Sequence, residues 1–367
     1  MSDPVRVLVV DDSALMRKLI PQILQTDTSI QVVGTAMDGS FGLRKIEELK
    51  PQVVTLDLEM PGMNGIDTLK EIMRHSRVPV IVVSSHSTEG ASVTLKALGL
   101  GAFDFVAKPH DVYGRMPEIA SELIGKIKAA AQCRNVKVQP ILGTSRRAEK
   151  VSSDARTRPT RVVGIGVSTG GPHALQFVLS QLPADFPGTI VVVQHMPEGF
   201  TEMFARRLDE ICAISVKEAQ SGDLLLAGRA VICPGSRHIK VKRLPLGDVA
   251  ILSDEPRVNG HRPSVDVLFR SIAEEFAASG LSLLMTGMGE DGAQGMGAVK
   301  AAGGMTIAQS EDSCVVFGMP KAAIERGFAV RVVGLDALAN ALQSHCTPDR
   351  AAGGPGEGGR AARAGRH

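Results

Sequence analysis

The first 24 residues read MSDPVRVLVVDDSALMRKLIPQIL and contain one complete strand–helix unit. The run VRVLVV predicts a buried strand, and ALMRKLIPQIL has the apolar spacing of an amphipathic helix. The alternation returns four times before residue 130, with further strands predicted at QVVGTA, QVVTLDL, PVIVVSS and FDFVAKP. Five such βα units predict an α/β domain over residues 1–130, with a parallel sheet covered by helices on both faces.

Two changes of composition divide the rest of the chain. Residues 131–159 are rich in Lys, Arg, Ser, Thr and Pro, which is typical of a linker. A second α/β series then runs through RVVGIGVS, TIVVVQH, RAVICPG, VAILSD, LSLLMTGM and MTIAQS, so a doubly wound, mostly parallel sheet is predicted for residues 160–345. Residues 346–367, rich in Gly, Ala and Arg, are expected to form a disordered tail.

The overall composition excludes several classes of protein. A net charge of +2 gives no general attraction to nucleic acid or to an anionic membrane. The five cysteines are scattered without a CxxC pair, which predicts neither a disulfide framework nor a zinc cluster. Because no stretch reaches the ~18 apolar residues of a membrane span, we expect a cytoplasmic protein without membrane insertion.

Polar residues follow four of the first five predicted strands. Asp11 and Asp12 end the first strand, Asp57 the third, Ser84 the fourth and Lys108 the fifth. Ligands of parallel sheets bind at these carboxyl ends, and clustered carboxylates predict a hard cation such as Mg²⁺. One carboxylate could then attack phosphorus while the lysine and serine stabilise the transferred group. Any one of these residues alone is equally typical of a loop or a helix cap.

The second domain opens with the glycine-rich turn GIGVSTGG, which has two interpretations. A dinucleotide site would need an acidic residue at the end of the next strand, but TIVVVQH ends in Gln194 and His195. A hydrolase turn fits better, with Ser168 as nucleophile beside the free amides of a helix N-terminus. His195 would be the base, and Asp291 in the turn GEDGAQGMG the orienting acid.

Each member of this candidate triad also has a purely structural explanation. Ser168 alone is more typical of a helix cap, and Asp291 or its neighbour Glu290 of a turn. Three other histidines rank below His195: His173 should point along its helix, and two more are predicted in loops without a nearby strand-end nucleophile. These two are His238 and His261.

The segments DDS, LDLEMPGMNG, VSS and FVAKP together resemble the receiver domain of two-component response regulators, a flavodoxin-like (βα)5 fold. The resemblance implies phosphorylation of Asp57 with Mg²⁺ held by Asp11, Asp12 and Asp57. It further implies a switch hydroxyl, an aromatic switch and a phosphate-sensing lysine, at Ser84, Phe105 and Lys108 respectively. Asn64 departs from the Asp common at its turn position, which leaves the acceptor chemistry unchanged.

The segments GVSTGGPHAL, VVVQHMPEGFT, VICPGSRHI, VNGHRPSVDVLF and LLMTGMGEDGA resemble the catalytic domain of the chemotaxis protein-glutamate methylesterase and protein-glutamine glutaminase family. The resemblance implies a hydrolase-type domain with Ser168, His195 and Asp291 as its triad. Thr169 and Met288 are candidate oxyanion or positioning groups.

The same resemblance implies the partners of the protein. The substrates would be methyl-accepting chemotaxis receptors, and a chemotaxis histidine kinase would donate the phosphoryl group. Mg²⁺ would serve only receiver phosphorylation, and hydrolysis would need no cofactor. The alternative is a response regulator whose output domain binds receptors or a nucleotide without catalysis. DNA binding is not favoured, since no helix-turn-helix with a basic recognition helix is predicted.

Overall fold

A computed structural model of the protein describes residues 3–85, 87–108, 116–132 and 158–347. The predicted tail beyond residue 347 and all but the two ends of the predicted linker lie outside these residues. Across the described part of the chain, no helix combines the length and the apolar character that crossing a bilayer requires.

The N-terminal domain is a five-stranded parallel sheet with strand order β2-β1-β3-β4-β5. Its strands are β1 (Val5–Val10), β2 (Ile30–Ala36), β3 (Val53–Asp57), β4 (Val80–Ser84) and β5 (Asp104–Ala107). Its helices are α1 (Ala14–Leu24), α2 (Gly39–Leu49), α3 (Gly65–His75), α4 (Thr88–Gly99) and α5 (Met116–Gln132). Every residue of β3, β4 and β5 is buried, as expected when helices cover both faces. The predicted flavodoxin-like (βα)5 fold is confirmed.

The C-terminal domain has a seven-stranded parallel sheet with strand order β14-β13-β12-β6-β7-β9-β8. Its strands are β6 (Val162–Val167), β7 (Thr189–Gln194), β8 (Ser215–Glu218), β9 (Arg229–Ile232), β12 (Gly280–Leu284), β13 (Met305–Gln309) and β14 (Arg331–Val333). Its helices are α6 (Gly171–Leu179), α7 (Phe200–Ile211), α8 (Val265–Phe276), α9 (Ala293–Ala301), α10 (Met319–Glu325) and α11 (Leu335–Cys346). The predicted doubly wound sheet is therefore present.

One predicted strand belongs to a different sheet. VAILSD was expected in the parallel sheet, but β11 (Val249–Ser253) pairs antiparallel with β10 (His238–Lys242) in a separate two-stranded sheet. A β-branched run predicts that a strand forms, but its partner depends on which hydrogen-bonding edge the rest of the chain leaves available.

Two glycines of the GIGVS segment serve packing of helix α8 against strand β6. A Cβ at Gly164 would lie 2.5 Å from Cδ1 of Ile272, and one at Gly166 would lie 2.2 Å from Cγ1 of Val265. The glycines therefore let α8 approach the sheet closely, which accounts for them without a nucleotide.

The order of the strands places a topological switch point between β6 and β12. Helix α6 leads from β6 to β7 on one side, whereas α9 leads from β12 to β13 on the other. Open α/β sheets bind their ligands in the crevice at such a point, beyond the carboxyl ends of the strands. The segments that follow β6, β7 and β12 are therefore the first place to look for a site.

Candidate active site

Ser168 and His195 are neighbours because their strands pair in register. Val167 at the end of β6 lies beside Gln194 at the end of β7, and the next residue of each strand is Ser168 or His195. The backbone N–H of His195 donates to the carbonyl of Val167 at 3.1 Å. Directly after Ser168 the chain turns at Gly170, which has φ 73°, and α6 begins. Ser168 and His195 therefore both lie at the carboxyl-terminal edge of the sheet, on neighbouring strands.

Asp291 is buried and accepts hydrogen bonds from four separate groups besides His195. His195 donates through Nε2 to Asp291 Oδ2 at 2.9 Å. The other donors belong to one segment of chain and are Ser264 Oγ at 2.7 Å, Val265 N at 2.7 Å, Asp266 N at 3.3 Å and Asn259 Nδ2 at 3.1 Å. So many donors fix both the position and the charge of this carboxylate.

The electrostatics of Asp291 follow from these contacts. Burial alone would raise its pKa, but the hydrogen bond and charge of His195 and the hydrogen bonds from Ser264 and Val265 outweigh burial and lower the pKa well below its usual range. The Val265 and Asp266 amides are the first of helix α8, where the helix dipole also favours an anion. Asp291 is therefore a permanent carboxylate next to His195.

His195 uses one ring nitrogen for Asp291 and leaves the other available. Its side chain is 10% exposed, and Nδ1 is buried without a hydrogen-bond partner among the residues that the structure describes. A base that is oriented at one nitrogen and open at the other is the arrangement that general-base catalysis needs. Hydrogen bonds between nucleophile and base are often long in unliganded enzymes and shorten when the substrate binds.

The candidate oxyanion residues lie on two loops beside Ser168. Thr169 is buried, and its carbonyl accepts from Thr286 Oγ1 at 3.0 Å. Gly287 contacts the serine closely, since a Cβ there would lie 2.8 Å from Ser168 Cβ. Met288 is 41% exposed, and its sulfur would lie 2.6 Å from a Cβ on Gly125 of helix α5. The roles of Thr169 and Met288 stay predictions.

The residues that ranked below the triad fall in different places. His173 donates through Nε2 to the carbonyl of Leu98 in the N-terminal domain at 2.7 Å. His238 was expected in a loop but begins strand β10, where it is fully buried. Glu290 is largely exposed and pairs with Arg326. His261, in contrast, stacks directly on His195, with ring centroids 4.0 Å apart.

The sequence interpretation gave no role to the residues that surround Asp291 and His195. Asn259, His261, Ser264 and Asp266 all belong to the motif VNGHRPSVD, which was recognised only as part of a family resemblance. A local signal was present, because Asn-Gly is a turn dipeptide and Ser264 precedes an amphipathic helix as a cap residue would.

The acidic residues of the N-terminal domain also come together. Oxygens of Asp11, Asp12 and Asp57 all lie within 4.8 Å of one another. Lys108 Nζ lies 2.6 Å from Asp57 Oδ2 and 3.3 Å from Asp11 Oδ2. The hydroxyl of Ser84 is buried and donates to the carbonyl of Gly90 at 3.3 Å.

Burial raises the pKa of Asp11 and of Asp57, although Lys108 opposes the change in both. Burial alone would lower the pKa of Lys108, but the two carboxylates outweigh burial and raise it. One ammonium group thus compensates two buried carboxylates incompletely. This deficit of positive charge and the all-oxygen donor set fit a divalent cation such as Mg²⁺.

Phe105 lies at a contact between the two domains. Its ring stacks on Phe200 of helix α7 with centroids 4.8 Å apart and an interplanar angle of 15°. Lys126 Nζ donates to the Phe105 carbonyl at 2.5 Å, and Asp104 Oδ2 accepts from the Gly170 amide at 3.4 Å. The proposed aromatic switch therefore contacts the domain that carries Ser168.

Known proteins resemble this chain in both domains. The CheB methylesterase family matches residues 163–342, and the response regulator receiver domain family matches residues 7–114. A Koribacter versatilis protein named protein-glutamate methylesterase/protein-glutamine glutaminase 2 is 61% identical over 95% of this chain and 98% of its own length. Proteins with the corresponding name from Symbiobacterium thermophilum and Halalkalibacterium halodurans are 46% and 45% identical, over 92% and 94% of this chain and 96% and 99% of theirs.

Proposed function

This chain belongs to the CheB methylesterase family, and from that premise we propose that it hydrolyses glutamate methyl esters and certain glutamine amides on methyl-accepting chemotaxis receptors. It is a response-regulator hydrolase of chemotaxis, in which a receiver domain over residues 1–130 regulates a catalytic domain over residues 160–345. The observation that carries the proposal is the buried hydrogen bond between His195 and Asp291, on the strand next to the one that ends at Ser168.

Ser168 acts as the nucleophile toward the side-chain carbonyl of the receptor residue. His195 takes the proton from the serine hydroxyl as the C–O bond forms, and Asp291 stabilises the resulting imidazolium without taking the proton itself. His195 then gives the proton to the departing methoxide or amide, so methanol or ammonia leaves and a glutamyl ester of Ser168 remains. Water, deprotonated by His195, cleaves that ester and restores the serine. Both activities therefore pass through one intermediate.

The receiver domain supplies the regulation. A chemotaxis histidine kinase donates a phosphoryl group to Asp57. Asp11, Asp12 and Asp57 would hold Mg²⁺, which would supply positive charge next to the phosphoryl oxygens. Lys108 Nζ contacts both Asp57 and Asp11, so it would lie beside a phosphoryl group carried by Asp57. No cofactor takes part in the proposed hydrolysis itself.

Contacts between the domains give phosphorylation a route to the catalytic site. Phe105 lies in β5, the strand that ends just before Lys108, and its ring packs on Phe200. The tip of Met288 packs on Gly125. We infer that the unphosphorylated receiver hinders access to Ser168 through these contacts and that phosphorylation of Asp57 weakens them.

The direct test is release of methanol from a methylated receptor cytoplasmic fragment. We expect release by the full chain to increase with a small phosphodonor and Mg²⁺, and to vanish in Ser168→Ala under both conditions. Absence of release from the unchanged protein, with binding to the fragment retained, would favour a non-catalytic output domain. The buried His195–Asp291 pair argues against that alternative, since receptor binding alone has no need of an oriented base.

A further inference from the structure

The turn Val258–His261 carries two side chains into the candidate active site. Asn259 has φ 53° and Gly260 has φ 77°, the pair of positive angles that defines a type I′ turn. Val258 and His261 exchange two backbone hydrogen bonds, at 3.0 Å and 2.9 Å, and Arg257 Nη1 donates to the Gly260 carbonyl at 3.1 Å. These hydrogen bonds hold the backbone of the turn in one conformation, so the Cα–Cβ bonds of Asn259 and His261 have defined directions.

The two side chains of this turn contact two different members of the triad. Asn259 Nδ2 donates to Asp291 Oδ1 at 3.1 Å and to Asp266 Oδ2 at 2.8 Å. The ring of His261 lies parallel to that of His195, with centroids 4.0 Å apart and an interplanar angle of 6°. One turn therefore contacts both the acid and the base of the triad.

The contact with His261 matters because Asp291 alone cannot fix the His195 ring. The hydrogen bond from Nε2 holds only one atom of the imidazole, so the plane of the ring can still rotate while that hydrogen bond is kept. Nδ1, the atom that must face the serine hydroxyl, has no hydrogen-bond partner among the described residues to hold it. A second ring packed flat on the imidazole prevents the swing, because rotation out of plane would bring the rings into collision.

We propose that His261 is a positioning residue, which fixes the plane of the His195 imidazole by stacking and so aims Nδ1 at Ser168. The inference deepens the proposed hydrolase function and rests on it. His261 itself exchanges no proton with the substrate; it acts through His195.

The charge of His261 suits this role. Burial, together with His195 and Arg257, lowers the pKa of His261 to about 4, against the opposing charges of Asp291 and of Glu122 in helix α5. His261 is therefore neutral near pH 7, and it adds no positive charge beside His195 when that ring becomes an imidazolium. A neutral aromatic face next to a cation is in addition favourable.

The test compares two substitutions in the full, phosphodonor-activated chain. His261→Ala removes the stacked ring and should lower kcat for methanol release roughly 10- to 100-fold, as expected for a misplaced catalytic group. The KM should change less than about twofold, since the receptor still binds. His261→Phe restores a flat ring without nitrogen atoms and should return kcat to within about threefold of the unchanged protein.

Three outcomes would overturn the inference. One is an unchanged kcat in His261→Ala. Another is a loss in His261→Phe as large as in His261→Ala, which would mean that a ring nitrogen acts. The last is a fall of kcat matched by unfolding, recorded by circular dichroism at the assay temperature. Release by the unchanged protein that is absent in Ser168→Ala is measured alongside, so failure of the hydrolase proposal itself is seen separately.

Discussion

At the scale of single residues, the site depends on the hydrogen bonds that stabilise the buried carboxylate of Asp291. Asp291 would be costly to bury alone, yet five donors surround it and its pKa is lowered. His195 is therefore paired with a fixed anion, which stabilises the imidazolium formed during ester cleavage. Glu290, one residue earlier, has no such surroundings and pairs with Arg326 at the surface. Adjacent carboxylates thus have entirely different environments.

The substitution Asp291→Asn tests this difference. The amide cannot stabilise an imidazolium and presents an N–H to donors, so we expect kcat for methanol release to fall by about 10³- to 10⁴-fold. Glu290→Gln is the matched control and should change kcat by less than about twofold. Similar losses in the two variants would show that Asp291 has no special role.

His261 gives the stability of the protein a specific pH dependence. Its folded-state pKa of about 4 lies below the unfolded value of 6.5, so the unfolded chain binds the proton more readily. The contribution of neutral His261 is present above pH 6.5 and is lost as the pH falls toward 4. We expect the free energy of unfolding to fall less between pH 7.5 and 5 in His261→Phe than in the unchanged protein, measured by urea denaturation. Equal decreases would contradict the lowered pKa.

At the scale of elements, helix α8 links the sheet to the site. Its side chains pack into the space left by the glycines of β6, and its first amides hold Asp291. The catalytic acid is therefore correctly placed only if α8 packs closely against β6. The glycines of the GIGVS segment are needed for this geometry and not for a phosphate.

The substitution Gly166→Ala should reveal that link. Its Cβ would lie 2.2 Å from Val265 Cγ1, at the first residue of α8, so the helix must move away from the sheet. We expect a loss of about 1–3 kcal/mol in stability, the usual range for overpacking, together with a lower kcat. Gly222→Ala is the control: Gly222 has φ 94° and open space around it, so backbone strain should lower stability without lowering kcat. If Gly166→Ala kept full activity, the position of α8 would not control the placement of Asp291.

At the scale of the whole molecule, the receiver lies against the catalytic domain through several separate contacts. These are the rings of Phe105 and Phe200, the hydrogen bond from His173 to Leu98, and the packing of Met288 on Gly125. Burial lowers the pKa of His173, so this histidine donates as a neutral ring. Met288 lies in the loop that follows β12 and carries Asp291, and Asp104 accepts a hydrogen bond from the amide of Gly170, in the turn that follows Ser168.

A larger side chain at Gly125 should weaken this contact. The leucine of Gly125→Leu would displace Met288, and we expect the methanol release rate without phosphodonor to rise several-fold while stimulation by phosphodonor decreases. Helix α5 itself should not suffer, because glycine is the poorer helix former. Ser121→Leu, at an exposed position of the same helix, is the control and should behave like the unchanged protein. An unchanged basal rate in Gly125→Leu would contradict the inhibitory role of the contact.

Phosphorylation has its own test at this scale. Asp57→Asn removes the acceptor, so a small phosphodonor with Mg²⁺ should no longer stimulate methanol release. Asp67→Asn alters an exposed carboxylate on helix α3 and should keep full stimulation. If the phosphodonor still stimulated methanol release by Asp57→Asn, another residue would have to be the phosphoryl acceptor.

The sequence by itself determined the two α/β folds, because the spacing of apolar residues specifies strands and helices, and parallel strands bring their carboxyl ends to one edge. Asp57 with Lys108, and Ser168 with His195, could be predicted as neighbours for that reason. The pairing of β11 with β10 could not be predicted, because a strand pattern does not specify the strand with which it will form hydrogen bonds.

Only the tertiary structure decided what surrounds the triad. Asn259, His261 and Ser264 reach Asp291 and His195 from a turn and a helix N-terminus that are distant in sequence from both. The same holds for the stack of Phe105 on Phe200 across the domain contact. Local patterns specify elements one at a time, whereas the groups that meet where elements pack are fixed by the shapes of all the packed surfaces together.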